Sequence, residues 1–348
     1  MKTTALLDST RSKLLDCIVK LGIDPSQFPQ IIANLDHSID CCKQIDGEVA
    51  TELASSDLAD KISVVIMGSY GRLEASMLSD VDYLLVASEK LNSGVEAKLR
   101  EQLKLIVERH QSDKVMLAQD RLFGKVFVVE TLLKDIGGFK DVSENLTARM
   151  LLLLESVCVY NPKLCESAYR ELWEEYTAKA VKKKRPPQLL MNEVLRYYRT
   201  LCVDYKYKVD IQMKPWAIRN IKLRHSRKFL CFSTMLSILD SIRDGGCDFD
   251  NLFMMLDEPP ILKLGQVMVN RGLVGLRDPF FKYDSFLRVI SDEALRTDLK
   301  DLKYEERETS KTYVTLRQDS YRFQDALIDV VRQLGSGFED LVYRYFLF

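Results

Sequence analysis

Two aspartates separated by one residue, Asp80 and Asp82, begin the part of this sequence that is best suited to chemistry. Side chains alternate between the two faces of a strand, so Asp80 and Asp82 project from one face while Val81 faces the core. Two carboxylates this close repel each other unless a cation lies between them. Because Mg²⁺ prefers oxygen ligands and keeps waters and substrate phosphates in its remaining positions, the pair predicts a magnesium site.

Gly68 and Ser69 precede the aspartates and follow the apolar run Val64–Met67. A glycine lets the backbone approach a ligand closely, and the free N–H groups at a helix N-terminus favour a phosphate. Ser69 adds a hydroxyl donor. Together with Asp80 and Asp82, this Gly-Ser pair predicts a site for a metal-bound triphosphate.

The elements that must position these residues are short. The apolar runs 64–67 and 83–86 are bounded and rich in Val, Ile, Leu and Tyr, which predicts two buried strands. Residues 70–78 between them contain one glycine and suit a short helix that begins at the Gly-Ser turn.

The stretch GSYGRLEASMLSDVDY resembles the signature of the DNA polymerase beta-like nucleotidyltransferase superfamily. That signature is an apolar strand, Gly-Ser, a short spacer and then Asp-apolar-Asp. The version in this chain is similar to the nucleotidyltransferase domain of protein-PII uridylyltransferases and of their uncharacterised bacterial relatives. The close resemblance covers residues 64–86.

The resemblance implies an α/β nucleotidyltransferase (polymerase beta-like) domain with N-terminal helices, followed by an all-α helical domain. We expect an N-terminal helical extension at 1–58, the nucleotidyltransferase domain at 59–140 and the helical domain at 141–348, with the nucleotide in the cleft between the last two. The implied reaction moves an NMP from an NTP, ATP or UTP, to a hydroxyl of a protein or RNA acceptor and releases pyrophosphate. Two Mg²⁺ ions held by Asp80 and Asp82 would assist it.

Members of the superfamily usually carry a third carboxylate on a later strand beside the Asp-x-Asp strand. Glu130, in the apolar run KVFVVETLL, has that setting. Asp120 and Asp113 are alternatives, although neither lies inside an apolar run. Glu130 is therefore our expected third catalytic carboxylate.

Cations are expected to hold the phosphates. Arg72 lies within the motif, and a later helix, WAIRNIKLRHSRKFL, resembles a helix of the superfamily that grips the triphosphate. On a wheel of 100° per residue, Arg219, Lys222 and Ser226 lie at about 100°, 40° and 80° from the core residue Ile218. We expect these three at the edge of the buried face, in contact with the β- and γ-phosphates.

Composition limits the remaining possibilities. The 348 residues are 47% hydrophobic and 29% charged, and no apolar run approaches the length that spans a bilayer, so we expect a cytoplasmic protein without a membrane partner. Eight cysteines form no C-x-x-C pair, which indicates reduced thiols. Residues 182–228 carry fourteen Lys and Arg against three acidic residues, although the net charge of the whole chain is −1. This local surplus of positive charge attracts polyanions.

Apolar periodicity predicts the remaining elements. Helices are expected at 3–21, 30–57, 94–110, 146–160, 164–181, 187–208, 216–243, 286–298 and 313–345, with a strand pair at 114–118 and 125–132.

Three functions stay open at this point: an enzyme that nucleotidylates a protein, an enzyme that acts on RNA or makes a nucleotide signal, and a catalytically weak nucleotide-binding module. The oligomeric state is not predicted by the sequence.

Overall fold

The computed structural model describes residues 1–54, 56–110, 124–134, 136–243 and 246–347. In these residues the chain is a mixed α/β protein, mostly helical, with one four-stranded mixed sheet. The expected combination of an α/β part with many helices is confirmed at this level. Among the described helices, none is long and apolar enough to cross a membrane.

The sheet has the strand order β3-β2-β1-β4. Its strands are β1 (Ile62–Met67), β2 (Asp82–Ala87), β3 (Val126–Val128) and β4 (Ser156–Tyr160). Strand β1 runs antiparallel to β2 and β4, whereas β2 and β3 are parallel. Every residue of β1 is buried, as expected for a central strand with helices packed on it. A two-stranded ladder, β5 (Ile242–Arg243) and β6 (Gly246–Cys247), lies later in the chain.

The helices account for most of the described chain. Those up to the fourth strand are α1 (Leu7–Lys20), α2 (Pro29–Leu53), α3 (Gly68–Gly71), α4 (Ser93–Arg109), α5 (Val129–Leu133) and α6 (Ser143–Leu154). Those after it are α7 (Pro162–Lys183), α8 (Gln188–Asp210), α9 (Trp216–Lys222), α10 (Lys228–Asp240), α11 (Phe249–Leu256), α12 (Pro260–Asn270), α13 (Asp278–Ser291), α14 (Glu293–Asp301), α15 (Lys311–Gln333) and α16 (Ser336–Val342). A π-turn, Leu223–Arg227, joins α9 to α10, and a second, Tyr343–Leu347, follows α16.

Two sequence-based assignments around the sheet are wrong. The helix expected at 146–160 ends at Leu154, and Ser156–Tyr160 pairs with β1 as strand β4. The alternating, β-branched sequence SVCVY favours a strand, but it follows an apolar helix without a turn signal. The strand expected at 125–132 stops at Val128 and continues as helix α5. The strand expected at 114–118 lies outside the described residues.

Other helix boundaries also differ. The helix expected within 70–78 is the single turn α3, and the helix expected at 216–243 ends at Asp240 and is interrupted by a π-turn. The helix expected at 286–298 is two helices, α13 and α14, while α11 and α12 were not expected. Pro260 and Pro279 lie at the first positions of α12 and α13, where proline is tolerated, so these prolines begin helices instead of separating them.

The chain forms two compact units. The first comprises Met1–Ser12, Asn34–Leu189 and Phe249–Pro259 and contains the four-stranded sheet. The second comprises Lys13–Ala33, Leu190–Asp248 and Pro260–Phe348. Helices α1 and α2 each contribute residues to both units. The expected division at residues 58 and 140 stays a prediction.

His225 lies in the core of the second unit. Its ring stacks on Phe286 with centroids 4.4 Å apart, and its Nδ1–H donates to the carbonyl oxygen of Ile221 at 2.9 Å. Its Nε2 is buried and has no hydrogen-bond partner among the described residues. Burial lowers the pKa of His225 to about 4, so the ring is neutral at pH 7.

This histidine should make the second unit sensitive to acid. The unfolded chain takes up the His225 proton near pH 6.5, whereas the folded chain takes it up only near pH 4, so stability is lost as the pH falls between these values. The difference in pKa corresponds to about 3 kcal/mol. We expect the free energy of unfolding of His225→Leu, measured in urea, to fall less than that of the wild type between pH 7 and pH 4. An equal fall in both proteins would contradict the assignment.

Candidate active site

The motif residues lie at one end of the sheet in the first unit. Strand β1 ends there at Met67, which pairs with Asp82, the first residue of β2, and with Ser156, the first residue of β4. Helix α3 begins at the next residue, Gly68. This end of the sheet therefore contains the end of β1, the beginnings of β2 and β4, and the helical turn α3.

Gly68 and Asp82 are in close contact. A Cβ atom added to Gly68 would lie 3.1 Å from Oδ2 of Asp82, and the φ of Gly68 is +69°, which L side chains rarely adopt. The backbone conformation thus favours glycine at this position, and a larger residue would also crowd the Asp82 carboxylate. The Gly-Ser turn and one motif carboxylate are brought together as the sequence predicts.

Burial alternates along the Asp-x-Asp segment. Val81 is 1% exposed, whereas Asp80 is exposed and Asp82 is half-buried. Burial raises the pKa of the Tyr70 hydroxyl, and the negative charge of Asp80 raises it further. Asp80 is therefore close enough to the α3 turn to act on Tyr70. The Asp82 carboxylate therefore borders the turn that carries Gly68 and Ser69, and Asp80 lies within electrostatic range of it.

Helix α2 holds the segment after this turn through hydrogen bonds. Asn34 Nδ2 donates to the carbonyl oxygen of Glu74 at 3.0 Å, and the Ala75 N–H donates to Ser38 Oγ at 3.0 Å. His37 Nε2 and the Tyr70 hydroxyl lie 3.1 Å apart. His37 and Ser38 follow Asn34 by three and four residues, which places both on the same side of the helix as Asn34.

The α2 side chains that make these contacts are uncharged at neutral pH. Burial lowers the pKa of His37, so its ring is neutral. The Cys41 thiol, one further turn along, also hydrogen-bonds to the Tyr70 side chain, and burial raises its pKa. Neutral groups on α2 therefore fix the position of Tyr70 and of the turn that contains it.

Arg72 is not directed at a ligand. It is 4% exposed, its Nε donates to Glu74 Oε1 at 2.6 Å, and a second guanidinium nitrogen contacts Glu155 Oε2. Both carboxylates are themselves buried. The expected contact of Arg72 with phosphate does not fit this placement, because its charge is already shared between Glu74 and Glu155.

Glu130 lies at the other end of the sheet. Strands β2 and β3 are parallel, with Ala87 opposite Val128, and Glu130 follows β3 as an exposed residue of helix α5. Asp82 begins β2, so the two positions are separated by about 17 Å along the strand direction. The structure does not bring Glu130 to Asp80 and Asp82. Asp113 and Asp120 lie outside the described residues.

Arg219, Lys222 and Ser226 belong to the second unit. Arg219 and Lys222 are half-buried, and each has an interaction partner in the chain. Ser226 is 3% exposed, and its Oγ lies 3.3 Å from the carbonyl oxygen of Lys222 within the same helix. The π-turn adds a residue to this turn, so a wheel of 100° per residue places Ser226 incorrectly. Contact of Arg219 and Lys222 with phosphate stays a prediction.

The donor set at the sheet end suits Mg²⁺. In the described parts of the chain, no three His, Cys, Asp or Glu residues group as a metal site. Mg²⁺ does not need such a group, because one or two carboxylates suffice when substrate phosphates and waters complete its coordination. Asp80 and Asp82, one exposed and one half-buried, are oxygen donors of that kind.

Several residues of this site were missed by the sequence analysis. Glu74 and Glu155 hold Arg72, and Asn34, His37 and Ser38 hold the α3 segment. One signal was present in the sequence. Asn34, Ser38 and Cys41 repeat at helical spacing beside the apolar stripe of α2, which indicates a second packed face. Nothing in the sequence pairs Arg72 with Glu155, which lies 83 residues further along the chain.

No protein-family model matches the chain, and no curated protein matches it. The motif and its geometry therefore carry the functional argument.

Gly71 should be essential for the fold of the site. A Cβ added there would lie 1.9 Å from the carbonyl oxygen of Glu155, so strand β4 would have to move. We expect Gly71→Ala to lower the free energy of unfolding by about 1–3 kcal/mol or more, as overpacking does. The measurement is urea denaturation followed by circular dichroism.

Gly47→Ala is the matched control. Gly47 lies inside helix α2, and a Cβ there would meet nothing within 4 Å. This substitution should raise stability by roughly 0.5–1 kcal/mol, because alanine favours a helix interior. Equal stability of the two variants would show that β4 does not pack on Gly71 as described.

Proposed function

We propose that this chain is a Mg²⁺-dependent nucleotidyltransferase of the polymerase beta-like type. It would transfer an NMP from an NTP, ATP or UTP, to a hydroxyl of a protein or RNA acceptor and release pyrophosphate. The observation that supports the proposal most directly is the contact between Gly68 and the Asp82 carboxylate where β1 ends and β2 begins. A turn suited to phosphate and a carboxylate suited to a metal are adjacent there.

Each residue has a distinct role in this proposal. Asp80 and Asp82 hold Mg²⁺, which when bound polarises the α-phosphate and stabilises the leaving pyrophosphate. The Ser69 hydroxyl and the N–H groups at the beginning of α3 donate to the β- and γ-phosphates. Gly68 keeps the backbone of the turn close to the phosphates, and Tyr70 anchors the turn to helix α2.

A nucleotide-binding module with weak catalysis is the second candidate function. The position of Glu130 favours it, because the expected third carboxylate lies at the opposite end of the sheet. With two carboxylates at the site, nucleotide and metal can still bind, but activation of an acceptor hydroxyl is less well supported. Such a module would signal through the nucleotide it holds.

The metal assignment is tested with Asp80→Asn/Asp82→Asn. We expect the double variant to lose transfer by at least about a hundredfold, because the charge that holds the metal at the reacting phosphate is gone. Asparagine has nearly the shape of aspartate, so the double variant should keep the fold, which circular dichroism checks. The protein is incubated with Mg²⁺, each α-labelled NTP in turn and cell lysate, and the label is located on protein, RNA or a small molecule.

Asp298→Asn/Asp325→Asn controls for the loss of two negative charges, because both residues are exposed and belong to helices of the second unit. This control should label as the wild type does. Undiminished labelling by Asp80→Asn/Asp82→Asn would refute the metal assignment. Mg²⁺-dependent NTP binding without transfer to any acceptor would favour the second candidate.

A further inference from the structure

Four cations of the second unit form a group that we call the α8–α10 cation cluster: Arg199 and Lys206 on α8, Arg224 in the π-turn, and Lys228 at the beginning of α10. Arg199 and Lys206 are exposed, whereas Arg224 and Lys228 are half-buried. None of the four has a part in the proposed metal and triphosphate site.

Side chains of α8 lie within electrostatic range of the π-turn and of α10. Cations of one segment act electrostatically on ionisable side chains of the other in three pairs: Arg224 with Tyr198, Lys228 with Cys202, and Arg199 with Cys231. In each pair the burial of the Tyr or Cys side chain raises its pKa and the cation opposes that rise. Arg199, Arg224 and Lys228 therefore lie close to the place where α8 approaches the π-turn and α10, and Lys206 lies about two turns from Arg199 on the same side of α8.

No carboxylate of the described residues pairs with these cations. Arg224 Nε donates to the amide oxygen of Asn220 at 2.8 Å, and Lys228 Nζ donates to that of Gln324 at 2.6 Å. Arg199 and Lys206 make no hydrogen bond or ion pair with a described residue. The acidic residue between them on α8, Asp204, pairs instead with Lys208 at 2.8 Å.

Some exposed cations in other parts of the chain pair with a carboxylate, as in Lys43–Asp8, Lys61–Glu89, Arg109–Glu48 and Arg170–Glu166. In the cluster, burial and the neighbouring Arg224 both lower the pKa of Lys228. The folded chain thus tolerates a repulsion between cations that an external anion would relieve.

An exposed aromatic ring adjoins the cluster. The guanidinium carbon of Arg224 lies 5.4 Å from the ring centroid of Tyr321, and Tyr321 is 54% exposed. Exposed aromatic rings stack on nucleic-acid bases irrespective of sequence, and cations beside them contact the phosphates. Arg224 and Tyr321 together offer both kinds of contact.

The extent of the cluster favours a polymer as the ligand. Arg199 and Lys206 are seven residues apart on one helix, which corresponds to about 10 Å along its axis. A single phosphate group cannot contact cations spread over that length, whereas successive phosphates of a strand can. We infer that the α8–α10 cation cluster and Tyr321 bind a single-stranded nucleic acid through its phosphates and one stacked base.

The test is designed so that it does not depend on catalysis. A labelled single-stranded RNA of about 12 nucleotides, within the usual range of site sizes, is titrated with the Asp80→Asn/Asp82→Asn protein at several salt concentrations, without NTP or Mg²⁺. Binding is followed by fluorescence anisotropy. The logarithm of the association constant should fall linearly with the logarithm of the salt concentration, by about 0.7 per phosphate contact.

Arg199→Gln/Lys206→Gln, added to this protein, should reduce the magnitude of that slope by about 1.4, because two phosphate contacts are lost. Glutamine is a good helix former, so these two exposed sites should keep the fold. Tyr321→Ala should weaken binding by about five- to a hundredfold through the loss of stacking. The charge-matched control Lys300→Gln/Arg332→Gln, at two other exposed sites of the second unit, should leave the slope unchanged.

Four results would overturn the inference. The first is the absence of RNA binding at low salt, and the second is an equal loss of slope in the control. The third is displacement of RNA by polyglutamate as effectively as by unlabelled RNA, which would indicate a site for acidic protein surfaces. The fourth is displacement by inorganic triphosphate at the same phosphate concentration, which would indicate a mononucleotide site. None of these results bears on transfer at Asp80 and Asp82.

Discussion

The buried ion pairs of Arg72 determine where the motif can lie. The guanidinium joins the segment after α3, through Glu74, to the residue that precedes β4, Glu155. All three side chains are withdrawn from water, so their desolvation is offset only while each keeps its partners. Gly71 lets the two backbones approach closely enough for this contact. The turn with Gly68 and Ser69 is therefore fixed to the sheet by charges that are not available to a ligand.

On its other side the same turn is fixed by neutral groups. Asn34, His37 and Ser38 of α2 use an amide, an uncharged imidazole and a hydroxyl to hold Tyr70 and the segment after it. A cation on this face of α2 would compete with a metal for the carboxylates of Asp80 and Asp82. A carboxylate on this face would instead add to the repulsion between those two aspartates. Through these contacts α2 contributes neither a cation nor a carboxylate to the site.

The sequence predicted the parts of the site that depend on neighbours in the chain. Strands β1 and β2 follow from two bounded apolar runs, and the contact of Gly68 with Asp82 follows from the turn between them. Strand β4 was mistaken for helix because Ser156–Tyr160 continues an apolar helix, and only its pairing with β1 distinguishes the two. Arg72 was assigned to phosphate for a similar reason, since its partner Glu155 is distant in sequence and carries no local signal.

The misplacement of Glu130 has a topological origin that constrains any third carboxylate. A later strand beside β2 can run in either direction, and the sequence of β3 does not specify which. In an antiparallel arrangement the residue after β3 would lie beside Asp82. Because β3 is parallel to β2, the beginning of β3 is the end that lies nearest Asp82. There the Gly124 N–H donates to the carbonyl oxygen of Tyr83. A carboxylate from this part of the chain must therefore precede Val126 in sequence to reach the motif aspartates.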